Sequence, residues 1–276
     1  MTVRDLSRRD PGPKVAAHQR EGDGVVRVPY PIGVRHLTVA ARRVLTPRIV
    51  RITVAGPELA GFHSYQADDH VKLVFPDPDG TRRVPTPRPD ADLLDWPSPF
   101  PCTRTYTVRR LDTRAGELDL DVVLHGEGPG SAWGRDAAVG DPVCVAGPPG
   151  CRVFPHHRSH HVFAVDETAL PVVGRWMEEA PGHVTADVVI ETGEASDHDY
   201  PLVPGPGVAV HRLVRAGTGS RLGEAVRDLA RPDAFLVAAG EADALRPLRR
   251  AVRDGLAAGA LVTGYWKRGV VDLDED

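Results

Sequence analysis

Short stretches in which apolar and polar residues alternate fill the first half of the chain from Leu37 onward. Each is rich in β-branched residues and is closed by glycine or proline, a pattern that predicts β-strands. The predicted strands are 48–54, 70–75, 103–109, 117–124 and 141–146. A charged, proline-rich stretch at 76–101 is too irregular for a helix or a strand. Five or six short strands without a long helix predict a small antiparallel β-barrel.

The second half of the chain shows apolar runs that alternate with stretches of helical spacing. Strands are predicted at 161–165, 186–190, 207–210 and 234–239. Residues 166–168 form a good helix opening, and helical spacing continues to about 179 and recurs near 221–230 and 243–258. Strands that alternate with helices predict a parallel sheet with crossover connections.

The domain organisation follows from these two patterns. Residues 1–33 are polar, rich in arginine, glycine and proline, and without a sustained period, so we expect a disordered leader. The fold class predicted is an N-terminal antiparallel β-barrel at 34–153 followed by a C-terminal α/β domain with a parallel sheet at 154–276.

Composition excludes several classes of protein. The 276 residues are 41% hydrophobic and 26% charged, and the net charge of -4 argues against a dedicated nucleic-acid binder. No apolar run approaches the ~20 residues that a membrane helix needs. The first residues lack the apolar segment of a signal peptide, so we expect a cytoplasmic protein.

Cysteine and histidine spacing gives no metal or disulfide prediction. The three cysteines, Cys102, Cys144 and Cys151, form neither a disulfide framework nor a paired C-x-x-C motif. Four histidines fall within the six residues 156–161, where they could bind a metal ion. Because no cysteine or carboxylate joins them locally, we interpret this segment as a solvated linker between the domains and predict no metal site.

One candidate site lies on the strand at 103–109. The period of two residues puts Arg104, Tyr106 and Val108 on one face, and Thr105, Thr107 and Arg109 on the other. An arginine beside a tyrosine suits a cofactor with a charged phosphate and a flat ring. A surface strand with a cation–aromatic pair would show the same pattern.

A second candidate is the stretch 121–133, in which a strand runs into a glycine-rich turn and then to Ser131, which can open a helix. Glycines let backbone N–H groups approach a pyrophosphate, and the start of a helix favours an anion. The spacing matches neither the dinucleotide fingerprint nor the P-loop, and a simple hairpin turn stays open.

The third candidate is the end of two strands in the α/β half, at 166–171 and at 239–241. Open α/β sheets bind ligands at the edge where strands give way to helices. Simple helix capping would also account for these residues.

Together, these features resemble the siderophore-interacting protein family of flavin reductases, which has the ferredoxin-reductase architecture. The matching stretches occur in order along most of the chain from about residue 35: 45–51, 69–73, 104–107, His125-Gly126, Gly128-Pro129, Ser131-x-Trp133, 166–171, 239–241 and 264–269.

The resemblance implies FAD as the cofactor and NADH or NADPH as the electron donor. The residues it implies for FAD are His70, Arg104, Tyr106, Thr107, Asp121, Val123, His125, Gly126, Gly130, Ser131 and Trp133. Tyr106 would lie against the flavin ring, and Gly130 and Ser131 would hold the pyrophosphate. The residues it implies for the nicotinamide side are Asp166, Glu167, Thr168, Gly240 and Glu241, with Tyr265 and Trp266 where related reductases place an aromatic residue beside the flavin.

The chain departs from the family pattern at a few positions. Gly130 stands where the family usually has alanine, which still permits backbone contact with a phosphate. The tryptophans that the family often has near Val210 and Val237 are missing, which leaves the choice between NADH and NADPH open.

The resemblance also implies a ferric siderophore as the substrate, reduced by single electrons so that Fe²⁺ is released. Because many ferric siderophores are anionic, Lys72, Lys267 and Arg152 are the candidate substrate-binding residues. The scheme needs no catalytic side chain. A reductase that serves another acceptor, a siderophore-binding protein without redox chemistry, and a ferredoxin as donor all stay open.

Overall fold

The computed structural model describes residues 10–88, 93–217, 219–229 and 231–270. The chain divides into two compact units. We call the first, which contains Met1–Ala17, Val26–Val44 and Val50–Val153, the barrel unit. The second, which contains His18–Val25, Leu45–Ile49 and Phe154–Asp276, is the sheet unit.

The first part of the chain, up to Val153, is built mainly of strands. In chain order the elements are α1 (Gly12–Glu21), β1 (Val26–Pro29), β2 (Val34–Thr46), β3 (Ile49–Ala55), β4 (His70–Val74), β5 (Thr86–Pro87), β6 (Leu94–Asp95), β7 (Thr103–Asp112), β8 (Glu117–Val123), α2 (Pro129–Asp136), β9 (Pro142–Ala146) and β10 (Gly150–Val153). Six of them close into a barrel in the order β2-β3-β8-β7-β4-β9, which confirms the predicted architecture.

Alternation along each strand fills the inside of the barrel. Alternate residues of β8, for example Leu118 and Leu120, are fully buried in one cluster with Val71 and Leu73 of β4. Between β4 and β7, Val71 lies opposite Tyr106 and Leu73 opposite Arg104. The strand register therefore places Tyr106 and Arg104 on the core-facing side of β7, on one face as their spacing predicts.

The sheet unit is built of parallel strands joined by helices. Its elements are β11 (His160–Asp166), α3 (Leu170–Glu179), β12 (Thr185–Thr192), β13 (Val208–Val214), α4 (Leu222–Leu229), β14 (Phe235–Glu241), α5 (Arg246–Arg253) and β15 (Gly259–Trp266). The strand order is β13-β12-β11-β14-β15, and every neighbouring pair is parallel, as predicted. Val162 and Leu236 of the sheet pack against Leu222 of α4 and Leu248 of α5.

Residues 10–33 are ordered, so the prediction of a disordered leader is wrong there; residues 1–9 lie outside the described residues. Helix α1 buries Val15, and β1 pairs antiparallel with β10, where Val28 faces Cys151. The Tyr30 hydroxyl donates to Asp69 Oδ2 at 3.2 Å. A local period could not reveal this segment, because its few apolar residues are buried by partners far along the chain.

The histidine-rich segment is also different from the prediction of a solvated linker. His156, His160 and His161 are buried, and only His157 is exposed. His161 belongs to β11, where its ring packs on Phe163, Trp176 and Phe235. A histidine ring can fill an aromatic core, so a cluster of histidines does not by itself indicate a wet surface.

Among the residues that the structure describes, no helix has the length and apolar character needed to cross a membrane.

Candidate functional site

Four of the residues predicted to bind FAD meet at the start of α2. The rings of Tyr106 and Trp133 lie 6.2 Å apart between centroids, and the ring of Phe75 lies at the same distance from that of Trp133. A Cβ added to Gly130 would overlap the Tyr106 hydroxyl oxygen and lie 3.4 Å from Arg104 Cγ. These residues therefore form a compact cradle of one arginine side chain, two large rings and a helix start; the Arg104 guanidinium itself donates to the carbonyl of Thr103 at 2.6 Å.

The first turn of α2 offers backbone donors to this cradle. Gly128 precedes the helix without a side-chain cap, and Pro129 begins it. The N–H groups of Gly130 and Ser131 have no carbonyl to bind within the helix, as is general for a first turn. Such donors, together with the helix dipole, favour an anion. Burial raises the pKa of Tyr106, so its hydroxyl stays protonated and neutral.

The side chain of Ser131 also has a structural role that the sequence did not predict. Its hydroxyl donates to the carbonyl of His125 at 2.7 Å and accepts from the N–H of His125 at 2.9 Å. The side chain thus closes the glycine-rich turn on itself, and its backbone N–H is the group left for a ligand. His125 and Gly126 are exposed in this turn.

Basic groups of β4 lie opposite Thr105 and Thr107, which are on the other face of β7 from Arg104 and Tyr106. Thr107 lies opposite His70, and Thr105 lies opposite Lys72. Burial lowers the pKa of His70, and the positive charges of Arg152 and Lys72 lower it further. His70, Lys72 and Arg152 are therefore electrostatic neighbours, and we call the two cations, Lys72 and Arg152, the basic cluster.

Lys267, the third predicted substrate residue, belongs to the sheet unit. Its ammonium lies 3.5 Å from Asp243 Oδ1, so a carboxylate already balances part of its charge.

Asp121, one of the residues implied for FAD, is held by an arginine that was not among the candidate site residues. Arg51 of β3 donates from Nε and an NH2 group to the two oxygens of Asp121, at 2.7 and 2.8 Å. On the same face, Thr53 donates to Asp119 at 2.7 Å. Asp121 therefore positions β3 against β8, and half-buried Val123 follows it on the same face. Arg51 is the last residue of the 45–51 stretch. Its alternation with Thr53 along β3 is the sequence feature that could have identified it.

In the sheet unit, Asp166 is the centre of a hydrogen-bonded hub at the carboxyl ends of β11, β14 and β15. Its Oδ1 accepts from the N–H and the hydroxyl of Thr168, at 2.9 and 2.6 Å. Its Oδ2 accepts from the N–H of Glu241 and from Trp266 Nε1, both at 2.8 Å. Burial, and then the charge of Glu167, raise the pKa of Asp166 to about 6.

Gly240 makes this hub sterically feasible. Its φ of +147° lies in a region that favours glycine, and a Cβ there would lie 2.6 Å from Asp166 Cγ. The hub therefore brings together Asp166, Thr168, Gly240 and Glu241, which were selected by their positions at strand ends, and Trp266, which was selected by the family resemblance.

The other carboxylates predicted on the nicotinamide side also have protein partners. Glu167 lies within 3.4 Å of Arg48 and Arg215. Glu241 accepts from the N–H groups of Ala244 and Arg268, at 2.7 and 3.2 Å. The half-buried rings of Tyr265 and Trp266 and the backbone at 240–241 are the features that this edge can present to a nucleotide.

An ionic network next to this hub was missed by the sequence analysis. Arg48 lies 3.4 Å from Asp197, and Arg215 lies 3.4 Å from Glu191, which is fully buried at the end of β12. These residues come from separate segments, so no local motif joins them. The strand-end position of Glu191 was the signal that could have identified it.

A closed antiparallel barrel followed by a parallel five-stranded α/β sheet defines a ferredoxin-reductase-like fold, and here a helix start lies beside an arginine and a tyrosine. The family model for a siderophore-interacting FAD-binding domain matches residues 38–152, and that for a siderophore-interacting protein matches residues 158–269. The chain belongs to the siderophore-interacting protein family.

Known proteins resemble the chain at two levels of coverage. The crystal structure of a siderophore utilization protein from T. fusca is 37% identical, with a TM-score of 0.83 over 91% of this chain and 98% of that one. Ferric vibriobactin reductase ViuB from Vibrio cholerae is 31% identical over 167 residues, 60% of this chain and 61% of that protein. An NADPH-dependent ferric-chelate reductase from Escherichia coli is 35% identical over 55% of this chain and 59% of that protein. The matched parts thus span about three fifths of the two curated reductases.

Proposed function

We propose that the protein is a FAD-dependent reductase of ferric siderophores that takes its electrons from NADH or NADPH and acts in the cytoplasm. The cradle at the start of α2 is the observation that carries the proposal. One arginine side chain, free helix N–H groups and two large rings at the start of α2 match a molecule that joins a pyrophosphate to a flat ring.

The residues of the cradle fit FAD by their chemistry. Arg104 and the N–H groups of Gly130 and Ser131 are suited to the pyrophosphate, and the neutral Tyr106 and Trp133 are suited to the flavin ring. Thr107, His70, Asp121, Val123, His125 and Gly126 complete the proposed site. Because Gly130 has no Cβ, the Tyr106 hydroxyl has the space that it needs.

FAD, when bound, accepts a hydride from a reduced nicotinamide and can release electrons one at a time. The protein's own task is then to bind, orient and attract. Lys72 and Arg152 of the basic cluster would attract an anionic ferric chelate. Reduced iron is a less highly charged ion that hard oxygen ligands hold less tightly, so the chelate releases it. His70 and Tyr106 are both neutral near pH 7, so neither would add a charge to the surroundings of a bound flavin.

The hub in the sheet unit is the proposed nicotinamide-nucleotide site. Asp166, Glu167 and Thr168 hold the ends of the strands in place, and Gly240, Glu241, Tyr265 and Trp266 present backbone and ring surfaces. The E. coli relative is NADPH-dependent, which supports a nicotinamide donor. The alternative donor is a ferredoxin, and bleaching of the flavin by reduced ferredoxin but not by nucleotide would distinguish it.

The test is the visible spectrum of the purified protein, followed without oxygen while NADH or NADPH and then a ferric siderophore are added. We expect a flavin spectrum that bleaches with nucleotide and recovers with the ferric chelate. Arg104→Gln should lower FAD affinity at least tenfold, whereas Arg114→Gln, in the exposed turn after β7, should not change it.

Substrate binding is tested on the same protein. Lys72→Gln should raise KM for an anionic ferric siderophore and leave bleaching by nucleotide unchanged, and Lys14→Gln is the exposed control. A colourless protein that cannot be loaded with FAD would contradict the proposal and leave siderophore binding without redox chemistry. Bleaching by nucleotide without recovery would point to another acceptor, and bleaching by reduced ferredoxin alone to another donor.

A further inference from the structure

A groove lined by arginines lies on the exposed side of α4 and α5 in the sheet unit. Its volume is about 790 Å³. Arg227 of α4 faces it, together with Arg246, Arg249, Arg250 and Arg253 of α5. We call it the arginine groove; none of its lining residues belongs to the hub or to the cradle.

The four arginines of α5 follow one face of the helix. They stand at positions i, i+3, i+4 and i+7, and neighbours at such spacings lie about 5–6 Å apart between Cβ atoms. The opposite face, with Leu248 and Val252, packs into the core of the sheet unit. Like charges three and four residues apart destabilise a helix, so this stripe opposes the stability of α5. A local cost without a local gain is typical of a functional surface.

Carboxylates balance only part of the positive charge of the groove. Elsewhere, arginines such as Arg51, Arg110 and Arg215 are paired with carboxylates. In the groove Arg246 pairs with Asp243 at 2.7 Å.

Across the part of the chain that the structure describes, no ion pair joins Arg227, Arg250 or Arg253 to a carboxylate. Asp254 is the one acidic residue among the lining residues, against five arginines, so the lining carries a formal charge of +4. The whole chain has a charge of -4.

We propose that the arginine groove binds a small molecule that carries two or more adjacent phosphates. Guanidinium groups bind phosphate oxygens in pairs of parallel hydrogen bonds, and several of them at 5–6 Å spacing can share a chain of phosphates. The volume lies within the range of small-molecule sites, about 300–1,000 Å³. Apolar lining from Pro247, Ala251 and Leu256 gives room for a group attached to the phosphates.

Calorimetry on the full-length, FAD-loaded protein tests the proposal, with inorganic pyrophosphate and ATP as probes at near-physiological salt. We expect binding of both, and the variant Arg250→Glu/Arg253→Glu should weaken it at least tenfold. Arg114→Glu, exposed in the barrel unit, changes the net charge in the same direction and should weaken it less than twofold. ATP that binds more tightly than pyrophosphate would identify a nucleotide-like ligand, and equal affinities would identify the phosphates alone.

The fold of the variants is checked separately. Arg250→Gln/Arg253→Gln removes like-charge pairs from α5, so Tm should stay equal or rise while pyrophosphate binding falls. Reduction of a ferric siderophore should be unchanged in every groove variant, which keeps this test independent of the proposed function. Absence of pyrophosphate binding at millimolar concentration, or binding that Arg250→Glu/Arg253→Glu leaves intact, would overturn the proposal.

Discussion

At Gly130, the first turn of α2 lies so close to β7 that a single methyl group would collide with the Tyr106 hydroxyl. Gly130 is a helical residue whose backbone does not require glycine, and alanine is normally favoured over glycine in a helix by about 1 kcal/mol. The missing Cβ is therefore explained by the space that Tyr106 occupies. The side chains that positions 130 and 106 can carry therefore depend on each other.

This contact predicts that Gly130→Ala changes the free energy of unfolding in opposite directions in the wild-type and Tyr106→Phe backgrounds. Gly130→Ala should lower the free energy of unfolding by about 1–3 kcal/mol, the usual effect of overpacking. In a Tyr106→Phe background the colliding oxygen is gone, so Gly130→Ala should stabilise by up to about 1 kcal/mol. Urea unfolding of the four proteins measures both effects. An equal effect of Gly130→Ala in the two backgrounds would show that the hydroxyl is not the obstacle.

The residue types at the candidate sites could be predicted, but their partners could not. Strand ends and a glycine-rich turn identified Asp166 and Ser131 by position alone. Asp166 is surrounded by four donors, and Ser131 closes its own turn, because these contacts depend on chain segments brought together only in the fold. Arg51 and Glu191 were missed for the same reason.

Among the secondary-structure elements, sequence patterns with a strict period gave the most reliable predictions of strands and of the faces that their side chains share. Alternation in β7 predicted that Arg104 and Tyr106 share a face, and the register with β4 confirms it. The irregularity between Val108 and Arg110, where β7 shifts register against β8, has no signature in the sequence. Elements α1 and β1 were missed because β1 is stabilised by β10, far along the chain.

Two buried histidines, His156 just before β11 and His161 within it, make the stability of the chain depend on pH. Burial lowers the pKa of His156 and His161 to about 4, well below the 6.5 of an unfolded histidine. As pH falls from 6.5 towards 4, the unfolded chain binds protons that the folded chain excludes, so stability is lost. Above about pH 7 both histidines are neutral in the folded and in the unfolded chain, so they cause no loss of stability there.

We therefore expect each of these histidines to lower the free energy of unfolding by about 2 kcal/mol between pH 7.5 and 5.0. Urea unfolding at the two pH values measures the loss, which should shrink in His156→Gln and in His161→Gln. His157→Gln is the matched control, because His157 is exposed. A loss of the same size in all three variants would show that other groups cause it.

At the scale of the whole molecule, each unit has a core of its own. Leu118 and Ile52 belong to the core of the barrel, and Val162 and Leu236 to that of the parallel sheet. The change from alternation to helical spacing along the chain predicted this sequence of architectures. Neither composition nor periodicity could predict the arginine groove, because Arg227 and α5 meet only when the sheet has formed.

Separate cores allow the proposed cofactor sites to be located by hydrogen exchange. A ligand that binds only the folded state at a hundred times its Kd stabilises by about 2.7 kcal/mol, which slows exchange through global opening about a hundredfold. FAD should protect amides at 104–107 and 126–133 in the barrel unit before distant ones. NADPH or NADH should protect amides at 166–168 and 240–241 in the sheet unit, because the hub holds the backbone there. Protection of 240–241 by FAD with no change at 126–133 would contradict the assignment of the cradle to FAD, whatever the activity of the loaded enzyme.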